Sequence, residues 1–69
     1  MQITINGKPA ESSDNITVVE LLKEQKVEAP EYVSVELNGE ILDRADFATA
    51  VVSDGDTVEF LYFMGGGAS

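Results

Sequence analysis

Few residues in this 69-residue chain are of a type that does chemistry, and they fall in three places. Lys8, Ser12 and Ser13 put an amine near two hydroxyls, the pairing a Ser/Lys hydrolase uses, but no surrounding motif supports it. Asp54 and Asp56 flank Gly55 and supply two carboxylates, well short of the roughly six to eight oxygens that calcium takes. Turn chemistry explains that pair better. The third place is Gly65-Gly66-Gly67, followed by Ala68 and Ser69.

Three readings of the glycine run are open. As a phosphate loop it fails, because no helix follows and no Lys-Ser/Thr pair is present. As a passive segment it is only a flexible tail. As a functional arm, residues without Cβ extend thinly from a rigid strand and can carry a backbone carboxylate into a narrow tunnel of a partner.

The rest of the composition narrows the choice. The chain has no Cys, no His and no Trp, which removes thiolate nucleophiles, imidazole bases, zinc sites and iron–sulfur clusters. No metal and no cofactor are expected, and no disulfide can staple the core. Thirteen acidic and four basic side chains give a net charge of −9. That field repels phosphate backbones and excludes nucleic acid as an expected partner, while it steers the chain toward basic protein surfaces. No apolar run is long enough for a membrane span or a signal segment, so a cytoplasmic location is expected. A hydrophobic content of 43% argues for a folded chain despite the charge.

The elements that must position these groups follow from local pattern. Met1, Ile3 and Ile5 alternate with polar residues as a half-buried strand does, and Asn6-Gly7 is a hairpin signal. Lys8–Ser12 is the return strand, placed at a sheet edge by Pro9. Thr17 and Glu20 form a capping box, with Ile16 and Leu21 as its hydrophobic staple, predicting a helix over Val18–Lys26. Val33–Leu37 is a third strand, and Asn38-Gly39 turns it into a short strand at Glu40–Leu42. Asp43 caps a short helical turn over Arg44–Thr49 with Phe47 pointing inward. Asp54-Gly55-Asp56 is a turn into the last strand, Thr57–Met64. This order is an α+β layout: a mixed sheet of four to five strands with one main helix on one face, and the last strand parallel to the first. One domain over 1–64 with a flexible glycine tail over 65–69 is expected.

With one helix, only one face of the sheet is covered. Val58 and Phe60 are expected inside, leaving Leu61 and Phe63 on the open face as a candidate docking patch.

Taken together, Met1-Gln2-Ile3, Thr17-Val18-Val19-Glu20-Leu21-Leu22, Leu37-Asn38-Gly39-Glu40-Ile41-Leu42 and Asp54-Gly55-Asp56 leading to Gly-Gly resemble the ThiS family of thiamine-biosynthesis sulfur carriers, within the ubiquitin-like β-grasp proteins. The similarity covers essentially the whole chain. It implies a protein that is a co-substrate and not an enzyme. In that family the terminal glycine, here Gly67, is adenylated by an ATP-dependent, ubiquitin-activating-type (ThiF-like) adenylyltransferase. A sulfur donor then converts it to a thiocarboxylate, which a thiazole synthase (ThiG-like) or another acceptor enzyme consumes. Gly65 and Gly66 would be read by the partner's tunnel, and the chain would act as a monomer. The sequence departs from the family pattern at Ala68-Ser69, which lie beyond the Gly-Gly and imply a processing peptidase that frees Gly67. The extension also admits a carrier for cysteine, homocysteine or molybdopterin synthesis, and a ubiquitin-like interaction module without tail chemistry is the reading from a different class.

Overall fold

The computed structural model describes Met1–Tyr62. Phe63, Gly65, Gly66, Gly67 and Ala68-Ser69 lie outside the described residues. The elements in chain order are β1 (Gln2–Ile5), β2 (Lys8–Glu11), β3 (Ile16–Thr17), α1 (Val18–Glu24), β4 (Val33–Leu37), β5 (Glu40–Ile41), a 3-10 turn at Arg44–Asp46, β6 (Val51–Val52) and β7 (Thr57–Tyr62). Five strands make one mixed sheet in the order β2-β1-β7-β4-β5. β7 is central, parallel to β1 and antiparallel to β4. β2 takes the edge that Pro9 requires.

Both hairpin turns form as the Asn-Gly pairs dictate. Asn6 and Gly7 sit at φ 51° and 82°, Asn38 and Gly39 at 51° and 88°. Positive φ at both central residues matches the right-handed twist of the flanking strands.

α1 accounts for all of its exposed N-terminal donors. The Thr17 N–H donates to Glu20 Oε1 (2.9 Å) and the Glu20 N–H to Thr17 Oγ1 (3.2 Å), so the capping box is complete. The N–H groups of Val18 and Val19 donate to the carbonyls of Ala50 and Phe47, each at 3.0 Å. Over 43–49 the amides of Asp46, Phe47 and Thr49 donate three positions back, to the carbonyls of Asp43, Arg44 and Asp46. The segment makes one 3-10 turn, and Asp43 places no side-chain cap on it. The expected helical turn over Arg44–Thr49 is thus corrected to a 3-10 turn over Arg44–Asp46 without the Asp43 cap, while Phe47 points inward as expected.

α1 also ends earlier than Lys26. Gln25 is the cap, and Lys26 turns to φ 54°. The Lys26 N–H donates to the Lys23 carbonyl (3.1 Å) and the Val27 N–H to the Leu22 carbonyl (3.0 Å). This is a Schellman motif with lysine where glycine is usual, and it folds Val27 back against the core beside Leu22. Two residues on each of β3 and β6 pair antiparallel, Ile16 with Val52 and Thr17 with Val51, and make a second small sheet that the sequence pattern did not announce.

The core lies between α1 and one face of the sheet. Val18, Leu21, Val35, Val52 and Val58 are fully buried, with Ile3, Val33 and Phe47 nearly so. The loop after β2 is tied down twice. The Met1 ammonium donates to the Ser12 carbonyl (2.6 Å) and pairs with Asp14 (3.1 Å). The Ser13 hydroxyl and N–H both donate to the Glu24 carboxylate at the end of α1.

Two outcomes follow from these contacts. Lys26→Gly removes the cost of an L-residue in the left-handed region and should raise unfolding free energy by about 1 kcal/mol, read from urea denaturation. The Ser13 hydroxyl, and after it the Ser13 N–H, holds the Glu24 carboxyl below its ordinary value of 4.5. A depressed carboxyl stabilises the fold above its ordinary value, and that contribution is lost as pH falls through the folded value. The stability gap between the native chain and Ser13→Ala should therefore be widest above about pH 5 and narrow progressively on acidification. A gap that is flat from neutral pH through the acid range would contradict the assignment.

Candidate functional site

The Lys8, Ser12 and Ser13 group is not brought together. Lys8 pairs with Ile5 at one end of β2, and the Ser12 N–H donates to the Met1 carbonyl at the other. At about 3.3 Å per residue, Lys8 and Ser12 lie roughly 13 Å apart along the strand. Ser12 is buried, and its hydroxyl donates to the Ser13 carbonyl. The aspartates serve turns. Asp54 Oδ1 accepts from the Gln2 N–H (3.0 Å) and Asp56 Oδ2 from the Ser53 N–H (2.8 Å). Among the described residues no three acidic side chains are gathered to hold a metal ion, and no buried side-chain polar atom lacks a partner.

What remains is β7, the strand that runs toward the glycines. Its register with β1 ends at Val58, opposite Ile5, whereas its register with β4 continues to Tyr62, opposite Val33. Past the end of β1, the first hairpin turn takes over. The Asn6 N–H donates to the Val58 carbonyl (3.0 Å), and Asn6 Oδ1 accepts from the Phe60 N–H (2.8 Å). The second hairpin turn does the same from the other side: Asn38 Oδ1 accepts from the Thr57 N–H (2.9 Å), and the Asn38 N–H donates to the Thr57 carbonyl (2.8 Å). Two asparagines read in the sequence as turn residues therefore also hold the central strand through their side chains. At its far end the Tyr62 hydroxyl donates to the Glu28 carbonyl, fixing the strand to the loop after α1.

Over its described residues the two faces of β7 divide as expected, with Phe63 outside them. Val58 is fully buried and Phe60 half-buried against the core. Leu61 lies on the opposite face, half-buried and directly across from Ser34. On that face Glu59 stands opposite Glu36, and Glu36 opposite the exposed Ile41. Like charges directly across a ladder are unfavourable, and here two carboxylates sit between apolar side chains on a face that no described helix covers. The sequence reading did not name Glu36, Ile41 or Glu59 for this patch. The period-two pattern puts Glu36 and Glu59 on the outer face, but their cross-strand neighbours depend on register.

The arrangement holds β7 from both sides, and among the described residues Lys8, Ser12 and Ser13 form no reactive cluster. No described helix is long and apolar enough to cross a membrane.

Comparison with known proteins agrees with this geometry. The ThiS family profile matches residues 3–67. The crystal structure of the thiamine biosynthesis protein ThiS from Geobacter metallireducens superposes with a TM-score of 0.89 at 53% identity, covering 93% of this chain and 96% of that one. An NMR solution structure of a thiamine biosynthesis protein from the same organism gives 0.77 at 53% identity, over 93% and 85% of the two chains. A thiazole synthase of Paramagnetospirillum magneticum is 40% identical over 68 residues, and one of Magnetococcus marinus is 34% identical over 67. This chain spans about a fifth of the length of those curated relatives, 21% and 20%.

The role given to Asn6 can be isolated by Asn6→Gly, which keeps the positive φ and deletes only the side-chain acceptor. The substitution should cost about 1 kcal/mol and accelerate hydrogen exchange at the Phe60 amide more than at Val58. Unchanged Phe60 exchange would show that the asparagine side chain does not hold the strand.

Proposed function

The chain belongs to the ThiS family, and we propose that it is a sulfur carrier of thiamine biosynthesis whose working group is the backbone carboxylate of Gly67. The observation that carries this reading is the extent of the family match, which runs to Gly67, on a chain with no Cys and no His.

A carboxylate has no good leaving group. In the proposed sequence the Gly67 carboxylate oxygen attacks the α-phosphorus of ATP, a P–O bond breaks, and pyrophosphate departs. A donor persulfide sulfur then attacks the carbonyl carbon of the acyl-adenylate and expels AMP. A thiol reduces the resulting acyl disulfide, which releases the thiocarboxylate and leaves the sulfur available as a soft nucleophile. Activating enzyme and donor supply every reactive side chain, so a carrier without Cys or His loses nothing. Gly65 and Gly66, having no Cβ, suit a narrow partner tunnel.

The acceptor in this reading is a thiazole synthase. The support is that a segment similar to nearly all of this chain occurs within proteins bearing that name, and joining in one chain favours two parts that work together. The activating adenylyltransferase would dock on the open sheet face through Leu61 and Phe63. Ala68 and Ser69 follow Gly67, so the Gly67 carboxylate becomes free only after hydrolysis of the Gly67–Ala68 bond, and a processing peptidase is part of the proposal.

A chain ending at Gly67, incubated with a ThiF-like adenylyltransferase, ATP and a persulfide donor, should gain the mass of one oxygen replaced by sulfur. The 69-residue chain should gain nothing until it is processed. Leu61→Asp should slow adenylation by about tenfold or more while leaving the fold intact. Sulfur transfer by the unprocessed chain would refute the need for a peptidase, and absence of any thiocarboxylate on the shortened chain would refute the carrier reading.

A further inference from the structure

A groove of about 520 Å³ opens on the opposite side of the molecule from the open sheet face, between α1, the loop after it and the 3-10 turn. Its walls are apolar: Val19, Leu22, Val27, Pro30 and Phe47. Its rim carries Lys23, Lys26 and Arg44, three of the four basic side chains in the chain, with Glu31 the one carboxylate. In a protein with thirteen acidic residues, this is a marked segregation of charge.

Among the described residues none of the three cations is used up in an ion pair. Among the described residues the single pair is between the Met1 ammonium and Asp14. Arg44 donates to the carbonyls of Pro30 (3.1 Å) and Val33 (2.6 Å) and lies 5.0 Å from the Phe47 ring centroid. It thereby fixes the groove's lip while most of its donors stay free. Lys26 stands at φ 54°, in the Schellman position where glycine costs less. An L-residue bears backbone strain there, and such outliers point toward function.

We propose that this groove docks an acidic peptide segment of a partner protein, with one apolar side chain seated between Val27 and Phe47 and its flanking carboxylates on Lys23, Lys26 and Arg44. A peptide fits better than a small molecule, since among the described residues no buried side-chain polar atom is left without a partner to orient a small ligand. Elsewhere the acidic surface repels such a segment, so charge directs it to this face. The inference is independent of the carrier chemistry and concerns a different surface.

The test is a titration of the isotope-labelled chain, followed by amide shifts, with a panel of hexapeptides bearing a central Leu, Phe or Met between Asp and Glu residues. A matched panel carries Lys in place of the acids. The acidic panel should shift the amides of Val19, Lys26, Val27 and Phe47, and binding should weaken as salt rises from about 50 to about 500 mM. Lys23→Glu should weaken binding about tenfold or more, whereas Lys8→Glu, with the same change in net charge on β2, should leave it unchanged. Lys26→Gly should also weaken binding although it stabilises the fold, which separates lost affinity from lost structure. No groove shifts with any acidic peptide at about 1 mM would overturn the proposal. So would equal binding of the basic panel, or equal loss from Lys8→Glu and Lys23→Glu. Groove shifts that track protein concentration without peptide would assign the surface to a second copy of the chain, and would overturn it as well.

Discussion

β7 is held from both sides by backbone ladders that run out at different points, and two asparagine side chains make up the difference. Asn38 meets Thr57 at its start and Asn6 meets Phe60 beyond the end of β1. A central strand held this way is fixed in register, because a one-residue slip would turn Val58 and Phe60 outward and empty the core. Everything the chain can present at the end of β7 depends on that registration. The same strand carries Leu61 and Glu59 on the outer face, so core packing and surface presentation are set by one pairing.

The two sides of the molecule differ in chemistry as well as in shape. The open sheet face sets Glu36 and Glu59 against each other with Leu61 and Ile41 alongside, a tolerated repulsion that suits a basic partner. The groove over α1 gathers Lys23, Lys26 and Arg44 around apolar walls. A small acidic protein with its few cations collected on one side has two electrostatically distinct surfaces, and partners of opposite charge can be told apart by side as well as by affinity.

Much of the fold was legible because local signals and tertiary structure agree. The Asn-Gly turns, the Thr17–Glu20 capping box and the Pro9 edge strand each follow from short-range stereochemistry, and the parallel pairing of the last strand with the first from the long connection between them. Disagreements arise at helix ends, where amides take a carbonyl other than the one four positions back. Asp46, Phe47 and Thr49 donate to carbonyls three positions back, which makes the segment a 3-10 turn. Leu22 and Lys23 give their carbonyls to Val27 and Lys26, which ends α1 early. The small β3–β6 sheet has two residues per strand, too short for any period to register.

By itself the sequence determined that this chain has no thiol or imidazole, carries nine net negative charges and places three consecutive glycines after a strongly apolar strand. Those are properties of residue type and order, and no fold can alter them. Tertiary structure alone decided that Asn6 and Asn38 reach the backbone of β7, that Glu36 faces Glu59, and that Lys23, Lys26 and Arg44 share one groove. Apart from Lys23 and Lys26, neighbours at the end of α1, these residues lie between 18 and 54 positions from their partners, and such contacts exist only once the chain has closed on its core.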